Sequence, residues 1–266
     1  MNPAVKEISG AGIAHWGRCL GLYGLLACAA HAEQSLEQAA SDPTASLMNV
    51  QVQNVYTGAY HRLRNESGNA LLLRSAVPFA TGSLRHIARA TLPYVSKSPS
   101  GEHGFGDLVL FDLVVFDRAW GRWGVGPVAL FPTASDGALG ADKWAVGPAI
   151  GFTARSPGVL WGLFNQNLFT VGGDDDRPDV DVSILQPIIN YALPNKWSIG
   201  TSEMNFTYDW NLDDWSVLPL GVKVSKLHRF GQVPVQLSGA YEYNLQDDYV
   251  SSEWTFNLTA KFLFPL

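Results

Sequence analysis

Cysteine is scarce in this sequence. Of 266 residues only Cys19 and Cys28 are cysteines, and both lie near the beginning. From residue 29 onward the chain therefore has no thiol with which to form a disulfide, a thiolate metal site or a cysteine nucleophile. Other interactions must hold the rest of the chain together.

Long apolar runs are also lacking. Hydrophobic residues make up 47% of the chain and charged residues 16%, a balance that excludes a disordered protein. After the first forty residues, however, Gly, Pro, Asn or a charge interrupts every apolar stretch before it reaches the roughly 18 residues of a transmembrane helix. The sequence thus argues against a bundle of membrane helices, and its net charge of -6 gives no support to nucleic-acid binding.

Patterns that indicate catalysis or metal binding are sparse. Four histidines follow residue 32, and none forms a short ligand motif with another histidine: His61, His86, His103 and His228. The chain has no G-x-S-x-G elbow, and its acidic run at 172–181 lacks the spacing of an EF-hand, so we expect a solvated loop there. We expect no cofactor, no metal and no enzymatic activity. A serine and a histidine on distant strands could still assemble a site.

The first 32 residues resemble an export signal. Lys6 and Arg18 precede an apolar stretch at 19–30, and Ala30-His31-Ala32 predicts cleavage after Ala32. An alternative interpretation takes 25–28 as a lipoprotein cleavage box, in which Cys28 would carry a lipid. Residues 33–46 are polar and lack a period, and we predict that they form a flexible periplasmic N-terminal tail.

Residues 47–266 alternate between apolar and polar side chains in runs of roughly ten residues, which is typical of a membrane β-barrel. In the last run Trp254, Phe256 and Leu258 alternate with Thr255 and Asn257, so a period of two places them on opposite faces. We predict an all-β fold: a transmembrane antiparallel up-and-down barrel of about 12 strands. A soluble sandwich would show the same alternation.

The lengths of the connections distinguish the two folds. Short turns, counted back from the C-terminus, are predicted at 227–229, 193–196, 155–158, 117–121 and 80–83. Longer polar loops alternate with them, at 58–68, 96–103, 133–142, 172–179 and 245–252, with 211–214 as a short exception. This asymmetry is expected when one rim of a barrel faces the periplasm and the other the exterior.

Aromatic residues near strand ends support the same interpretation. We predict an interface girdle formed by Trp144, Trp197, Trp210, Trp215 and Trp254. The alternative is that these rings pack over a core, as in any all-β protein.

Polar side chains that alternate with the apolar ones along each strand are predicted to line the lumen. They are Gln51, Gln53, Arg74, Arg85, Arg89, Asp112, Lys223, Glu242, Asn257 and Lys261. They would form a selectivity lining, or they would pair with one another and plug the interior. At 143–155 the inward face is nearly bare, which would leave a narrow path or accommodate an inserted loop. Four prolines inside strand-like runs predict bulges or bends: Pro127, Pro148, Pro187 and Pro219.

Several segments in combination resemble the outer-membrane proteins of the phenol-degradation meta-pathway family. They are Gly104-Phe-Gly-Asp107 before LVLFDLVVF, and the stretches at 124–135, 139–152, 185–199 and 215–224. The resemblance implies an outer-membrane barrel that passes small hydrophobic molecules. The chain departs from the usual pattern of such barrels in ending Phe264-Pro265-Leu266 rather than on an aromatic residue.

Together these features predict a channel or uptake protein in the outer membrane of a Gram-negative cell, for small hydrophobic or aromatic solutes. Its expected partners are outer-membrane lipids, lipopolysaccharide, the barrel-assembly machinery and the small-molecule solute. The alternative function is a non-transporting barrel with a structural role or a lipid-hydrolysing activity.

Overall fold

The computed structural model describes residues 36–264. The predicted signal peptide and Cys28 lie outside these residues. The elements in chain order are α1 Leu36–Ser41, β1 Met48–Tyr60, β2 Gly68–Thr81, β3 Leu84–Lys97, β4 Gly104–Phe105, β5 Leu108–Arg118, β6 Gly121–Phe131, β7 Lys143–Ser156, β8 Val159–Gly173, β9 Val182–Leu193, a 3-10 turn Pro194–Lys196, β10 Trp197–Thr201, β11 Phe206–Asp209, β12 Asp214–Val217, β13 Pro219–Phe230, β14 Val233–Asn244 and β15 Ser252–Phe264.

The strands close into a single antiparallel barrel. Neighbours in sequence are neighbours in the sheet, and β1 pairs with β15 from Met48 opposite Phe264 to Tyr60 opposite Ser252. The wall has 12 strands, because β10 and β11 are two parts of one wall strand and β12 and β13 are two parts of the next; β4 only extends the edge of β3. The predicted closed up-and-down barrel of 12 strands is confirmed.

The period-two pattern places apolar side chains on the outer surface. In β15 Thr255 and Asn257 are buried, whereas Phe256 and Leu258 are 43% and 54% exposed. A soluble protein would bury the apolar set, so this outward-apolar order separates the barrel from a soluble sandwich. Within 36–264 no helix is long and apolar enough to cross a membrane.

Connections differ in length between the two ends of the barrel. At one end they are short, at 82–83, 119–120, 157–158, 194–196 and 231–232; at the other they are mostly longer, at 61–67, 98–107, 132–142, 174–181, 210–213 and 245–251. We call these the short-turn end and the long-loop end. The turn predicted at 227–229 was wrong, because β13 continues to Phe230 and the chain reverses at Gly231, whose φ of 61° suits a tight turn.

The four prolines sit in the wall without the predicted bulges. Each proline lies where one side of its strand is locally unpaired. The β5–β6 ladder skips Pro127, and the β7–β8 ladder skips Pro148. Pro187 lies between the segments of β9 that pair with β10 and β11, and Pro219 starts β13 before its pairing with β10 begins. Because proline cannot donate a ladder hydrogen bond, an unpaired side accommodates it without a register shift.

The segment preceding the barrel is not a flexible tail over its described part. Residues 36–41 form α1, and Asp42, Thr44, Ala45 and Leu47 are buried. The expectation of an unstructured segment over 36–46 was wrong, because this stretch finds both polar and apolar partners on the inner wall of the barrel.

Candidate functional site in the barrel lumen

Residues 36–47, here called the N-terminal segment, are fastened to the inner wall by buried hydrogen bonds. Asp42 Oδ1 accepts from the Thr44 amide at 2.8 Å, from the Thr44 hydroxyl at 2.6 Å and from the Thr153 hydroxyl of β7 at 3.1 Å. Its other carboxylate oxygen forms an ion pair with Arg122 Nη1 of β6 at 3.2 Å. Since the Asp42 side chain is fully buried, these contacts replace the water that the carboxylate loses.

The same segment also contacts the opposite side of the barrel. Ala40, Ala45 and Leu47 pack with Leu227 of β13 and Leu263 of β15. Lys261 Nζ, also on β15, donates to the carbonyl oxygen of Ala40 at 2.8 Å. Because β7 and β15 are six strands apart in the ring of 12, the N-terminal segment crosses the lumen near the short-turn end.

A break in the wall provides the central charged pair of the lumen. Residues 202–205 leave the strand between β10 and β11, and Met204 has a φ of 24°. The break turns Glu203 inward, where its carboxylate forms an ion pair with Arg74 of β2. Gln186 Nε2 donates to the Glu203 carbonyl at 2.9 Å, and the Met204 amide donates to Glu242 Oε1 at 3.3 Å.

Polar side chains on β1 extend this network. Arg74 Nη1 donates to Gln53 Oε1 at 2.8 Å, and Gln51 Nε2 donates to the same oxygen at 3.2 Å. Both glutamines are buried. The wall formed by β1, β2 and β13–β15 is therefore polar and charged on its inner face, and we call it the charged wall.

The inner face of β3 and β5–β8 is mostly apolar by contrast, although Arg89 of β3 and Thr153 of β7 also lie on it. A buried cluster fills this side, with the rings of Phe111 and Phe164 5.3 Å apart. Its members are Ile87, Phe111, Leu113, Val115, Val128, Ala145, Ala149, Phe164 and Leu168. We call this face the apolar wall, so the lumen is amphipathic across its width.

Small residues of β7 make room for these rings. A Cβ added to Gly151 would lie 2.6 Å from Phe164 Cδ2 of the neighbouring strand. Side chains of the apolar wall thus occupy part of the bare inward face predicted at 143–155, and the inserted N-terminal segment contacts it at Thr153. A cavity of about 90 Å³ lies between the N-terminal segment, the charged wall, β3 and β9.

The structure places eight of the ten predicted lumen residues on the inner face: Gln51, Gln53, Arg74, Arg89, Lys223, Glu242, Asn257 and Lys261. Arg85 lies at the rim of the short-turn end, half exposed and paired with Asp117.

Asp112 was wrongly predicted to face the lumen, because its neighbours Phe111 and Leu113 occupy the inner face and leave it on the outer one. There its carboxylate contacts His86 Nδ1 at 2.9 Å, and His86 stacks on the exposed Phe79.

Tryptophans predicted to form a girdle lie near strand ends. Trp144, Trp210 and Trp215 are at the long-loop end, where Trp254 also packs between Tyr56 and Tyr241. Trp197 is at the short-turn end and is 44% exposed. Trp120 and Trp161, which the sequence analysis did not single out, also lie exposed at that end.

Sequence reasoning missed several polar residues of the lumen, among them Asp42, Thr44, Arg122, Thr153, Gln186 and Glu203. Glu203 had a detectable signal, because Thr201-Ser202-Glu203 interrupts the alternation of its strand with three consecutive polar residues. Asp42 and Thr44 had none, since their role depends on a return of the chain into the barrel.

Among residues 36–264 the structure shows no group of metal ligands and no hydrogen bond between a histidine ring and a serine hydroxyl. No group of three or more His, Cys, Asp or Glu side chains in this range could hold a metal ion. In the same range the histidine rings hydrogen-bond to the Asn244 carbonyl, from His61, and to the Asp112 carboxylate, from His86. Neither partner is a serine hydroxyl, as a serine hydrolase would need.

Solved structures share this architecture. The chain is similar to the crystal structure of an outer membrane channel from Pseudomonas putida F1, with a TM-score of 0.58 and 14% identity over 82% of this chain and 94% of that one. The fold is that of an outer-membrane β-barrel. The barrel matches outer membrane phospholipase A from Escherichia coli at a TM-score of 0.47 and 13% identity, over 82% and 90% of the two chains. It matches the KdgM porin at a TM-score of 0.47 and 9% identity, over 82% of this chain and 99% of that one.

Comparisons of sequence identify no relatives for the barrel. No protein-family model matches it, and no curated protein matches it. The resemblance to the phenol-degradation family therefore stays a prediction.

Proposed function

We propose that the chain is an outer-membrane barrel through which small hydrophobic or aromatic compounds enter a Gram-negative cell, and that the N-terminal segment is a closure that moves during passage. The observation that carries this proposal is the amphipathic lumen. The apolar wall, which includes Phe111 and Phe164, lines one side of the lumen, and specific contacts attach the N-terminal segment to the inside of the barrel. A pore for hydrophilic solutes would need no such apolar inner face.

Placement in the outer membrane is supported by the outer surface. Wall strands such as β1 and β15 have 13 residues each, more than the roughly 9–11 residues that a tilted strand needs to cross a bilayer. Exposed Leu, Val, Ile and Phe side chains cover the outer face, with tryptophans near both ends. Outer-membrane lipids and lipopolysaccharide are accordingly the proposed surroundings of the barrel, and the barrel-assembly machinery would insert it.

Movement of the N-terminal segment is required by its position. In the closed arrangement it crosses the lumen, and Lys261 and Asp42 fix it to opposite sides. Its contacts with the wall include hydrogen bonds, the ion pair of Asp42 with Arg122 and a small apolar cluster. Release at one side would expose the cavity beneath it without breaking the closed strand ladder.

Entry of two solutes into intact cells tests the proposal. The hydrophobic dye N-phenylnaphthylamine fluoresces when it passes the lipopolysaccharide layer, and cephaloridine, a hydrophilic zwitterionic β-lactam, loses its ultraviolet absorbance when a periplasmic β-lactamase cleaves it. We expect cells that make the barrel to take up the dye faster than cells without it, with cephaloridine entry unchanged. Faster cephaloridine entry with unchanged dye entry would overturn the proposal in favour of an aqueous pore.

A matched control holds the barrel closed. The Thr44 and Thr153 hydroxyls are 2.9 Å apart, so the double variant Thr44→Cys/Thr153→Cys should form a disulfide between the segment and the wall. Oxidised cells should take up the dye as slowly as cells without the barrel, and a reductant should restore entry.

The second candidate is a non-transporting barrel with a structural role. It is favoured by the occupied lumen, in which Arg74 and Glu203 pair and the N-terminal segment crosses from β15 to β7. Unchanged entry of both solutes, at a normal amount of folded barrel, would support it.

A further inference from the structure

The lumen cavity lies between the two walls and the N-terminal segment. Arg89 of β3 and Lys223 of β13 line it on one side, and Ala76, Ile87 and Ile188 line it on another. The three apolar residues also contact the apolar wall. A molecule in this cavity would meet cationic and apolar groups at the same time.

Positive charge exceeds negative charge around the cavity. The cluster contains four basic side chains, Arg74, Arg89, Lys223 and Lys261, and two acidic ones, Glu203 and Glu242, which gives a formal excess of two positive charges (four minus two). Asp42, which also lines the cavity, is already paired with Arg122. The excess is therefore not compensated by the remaining carboxylate at the cavity.

Two of these cations, Arg89 and Lys223, make no direct polar contact with another described residue. Arg74 pairs with Glu203 and Lys261 donates to a carbonyl, but neither Arg89 nor Lys223 takes part in an ion pair or hydrogen bond among the described residues. Arg89 only lies over the Phe111 ring, at 5.9 Å from its centroid. Glu203 attracts both charges, and Glu242 attracts Lys223, but without a direct contact. An enclosed charge that lacks a hydrogen-bonded partner is costly, so an anion at this place would stabilise the closed barrel.

We propose that this cavity binds the carboxylate of a small organic acid, with Arg89 and Lys223 as the groups that contact the carboxylate. Guanidinium and ammonium donors form their strongest hydrogen bonds with such anions. The adjoining Ala76, Ile87 and Ile188 favour an acid with an apolar body, and the volume of about 90 Å³ limits that body to a few carbons or one ring. The inference rests on the proposed function, since it names the class of solute that the barrel holds.

Isothermal titration calorimetry on the folded full-length barrel in detergent tests this site without any transport step. The probes are sodium benzoate, sodium acetate and the neutral isostere benzamide, at one pH and one ionic strength. We expect saturable binding of benzoate at one site and no binding of benzamide. Benzoate tighter than acetate identifies an acid with an apolar body, and equal affinities identify any small carboxylate. Absence of benzoate binding, or equal binding of benzamide, would overturn the proposal.

Variants on β13 and β3 assign the site to its residues. Lys223→Met and Arg89→Gln should each weaken benzoate binding by about tenfold or more, because each removes one charged donor. Lys226→Met is the matched control, since Lys226 is on the same strand but its Nζ lies over the Trp197 ring on the outer face, 4.8 Å from the centroid. Unchanged affinity in both lumen variants contradicts the assignment. If a variant fails to fold, the comparison of benzoate with benzamide on the natural barrel alone decides whether the cavity binds a carboxylate.

Failure of this inference and failure of the proposed function give different results. A barrel that passes N-phenylnaphthylamine into cells but does not bind benzoate keeps the proposed function and refutes the acid site. A barrel that binds benzoate but passes no dye supports the acid site and refutes hydrophobe uptake.

Discussion

The hydroxyl oxygens of Thr44 and Thr153 lie 2.9 Å apart, although 109 residues separate them in the chain. Both side chains are completely buried, and both donate to the same oxygen of Asp42. This three-residue contact joins the N-terminal segment to β7 at the narrow cavity of the lumen. We infer that opening of the proposed closure depends on breaking this polar contact and not on breaking the strand ladder.

Replacing Asp42 should release the N-terminal segment while the wall stays folded. Asp42→Ala removes the acceptor of the two threonines and leaves Arg122 without this carboxylate, so we expect the contact to be weakened by about 3 kcal/mol. Limited proteolysis should then cut the segment faster in the variant. Asp248→Ala is the control, because the Arg62–Asp248 pair is exposed and is worth at most about 1 kcal/mol. Equal protection of the segment in the Asp42→Ala barrel and the natural barrel contradicts this role.

Arg74 and Glu203 should show strong coupling. Arg74→Met or Glu203→Gln alone leaves one enclosed charge unpaired, and each should lower the free energy of unfolding by about 3 kcal/mol. The double variant removes both charges and should recover a large part of that loss. Urea unfolding of the barrel in lipid vesicles measures the cycle. Strictly additive losses would show that the two side chains do not interact.

The outward pair of His86 and Asp112 should not affect solute passage. The double variant His86→Phe/Asp112→Leu replaces a polar pair on the outer face with apolar groups, so the barrel should be at least as stable in a bilayer. Ion selectivity of any conducting state should be unchanged, because neither side chain faces the lumen. A shift in reversal potential would place Asp112 in the lumen after all.

Gly126 is required by the close approach of β6 to β5. An added Cβ would lie 1.8 Å from the carbonyl oxygen of Asp112, which the backbone of the ladder cannot accommodate. Gly126→Ala should therefore lower the yield of folded barrel severely, as measured by heat-modifiable migration on gels. Gly172→Ala is the control, because its Cβ would meet nothing within 4 Å. Equal yields of the two variants would contradict the predicted clash.

The period of two made most of the wall predictable. Alternation of Trp254, Phe256 and Leu258 with Thr255 and Asn257 is a local property of the backbone, and it assigned the two faces correctly. The prediction for Asp112 was wrong because its strand, Leu108–Arg118, is apolar on both faces, so the sequence could not show which face Asp112 lies on. The local pairing at the four prolines could not be predicted for a related reason, since an unpaired side of a strand depends on the neighbouring strand.

Contacts that depend on distant chain segments could not be predicted. Asp42 and Thr44 belong to a polar stretch without a period, and only the inner surface of β7 turns that stretch into a buried contact. Glu203 acts on Arg74 at a separation of 129 residues. No local pattern specifies which side chains meet in the lumen, so the sequence supplied the candidates but not their partners.

Single-channel conductance of the Thr44→Cys/Thr153→Cys barrel in planar bilayers, before and after reduction, tests the central claim most directly. Both natural cysteines precede residue 36, so a barrel that begins after Ala32 can form only the introduced disulfide. We predict a silent barrel when the pair is oxidised and discrete openings after a reductant is added. Equal conductance in the two states, or equal silence in the reduced barrel and the natural one, would contradict a closure formed by the N-terminal segment.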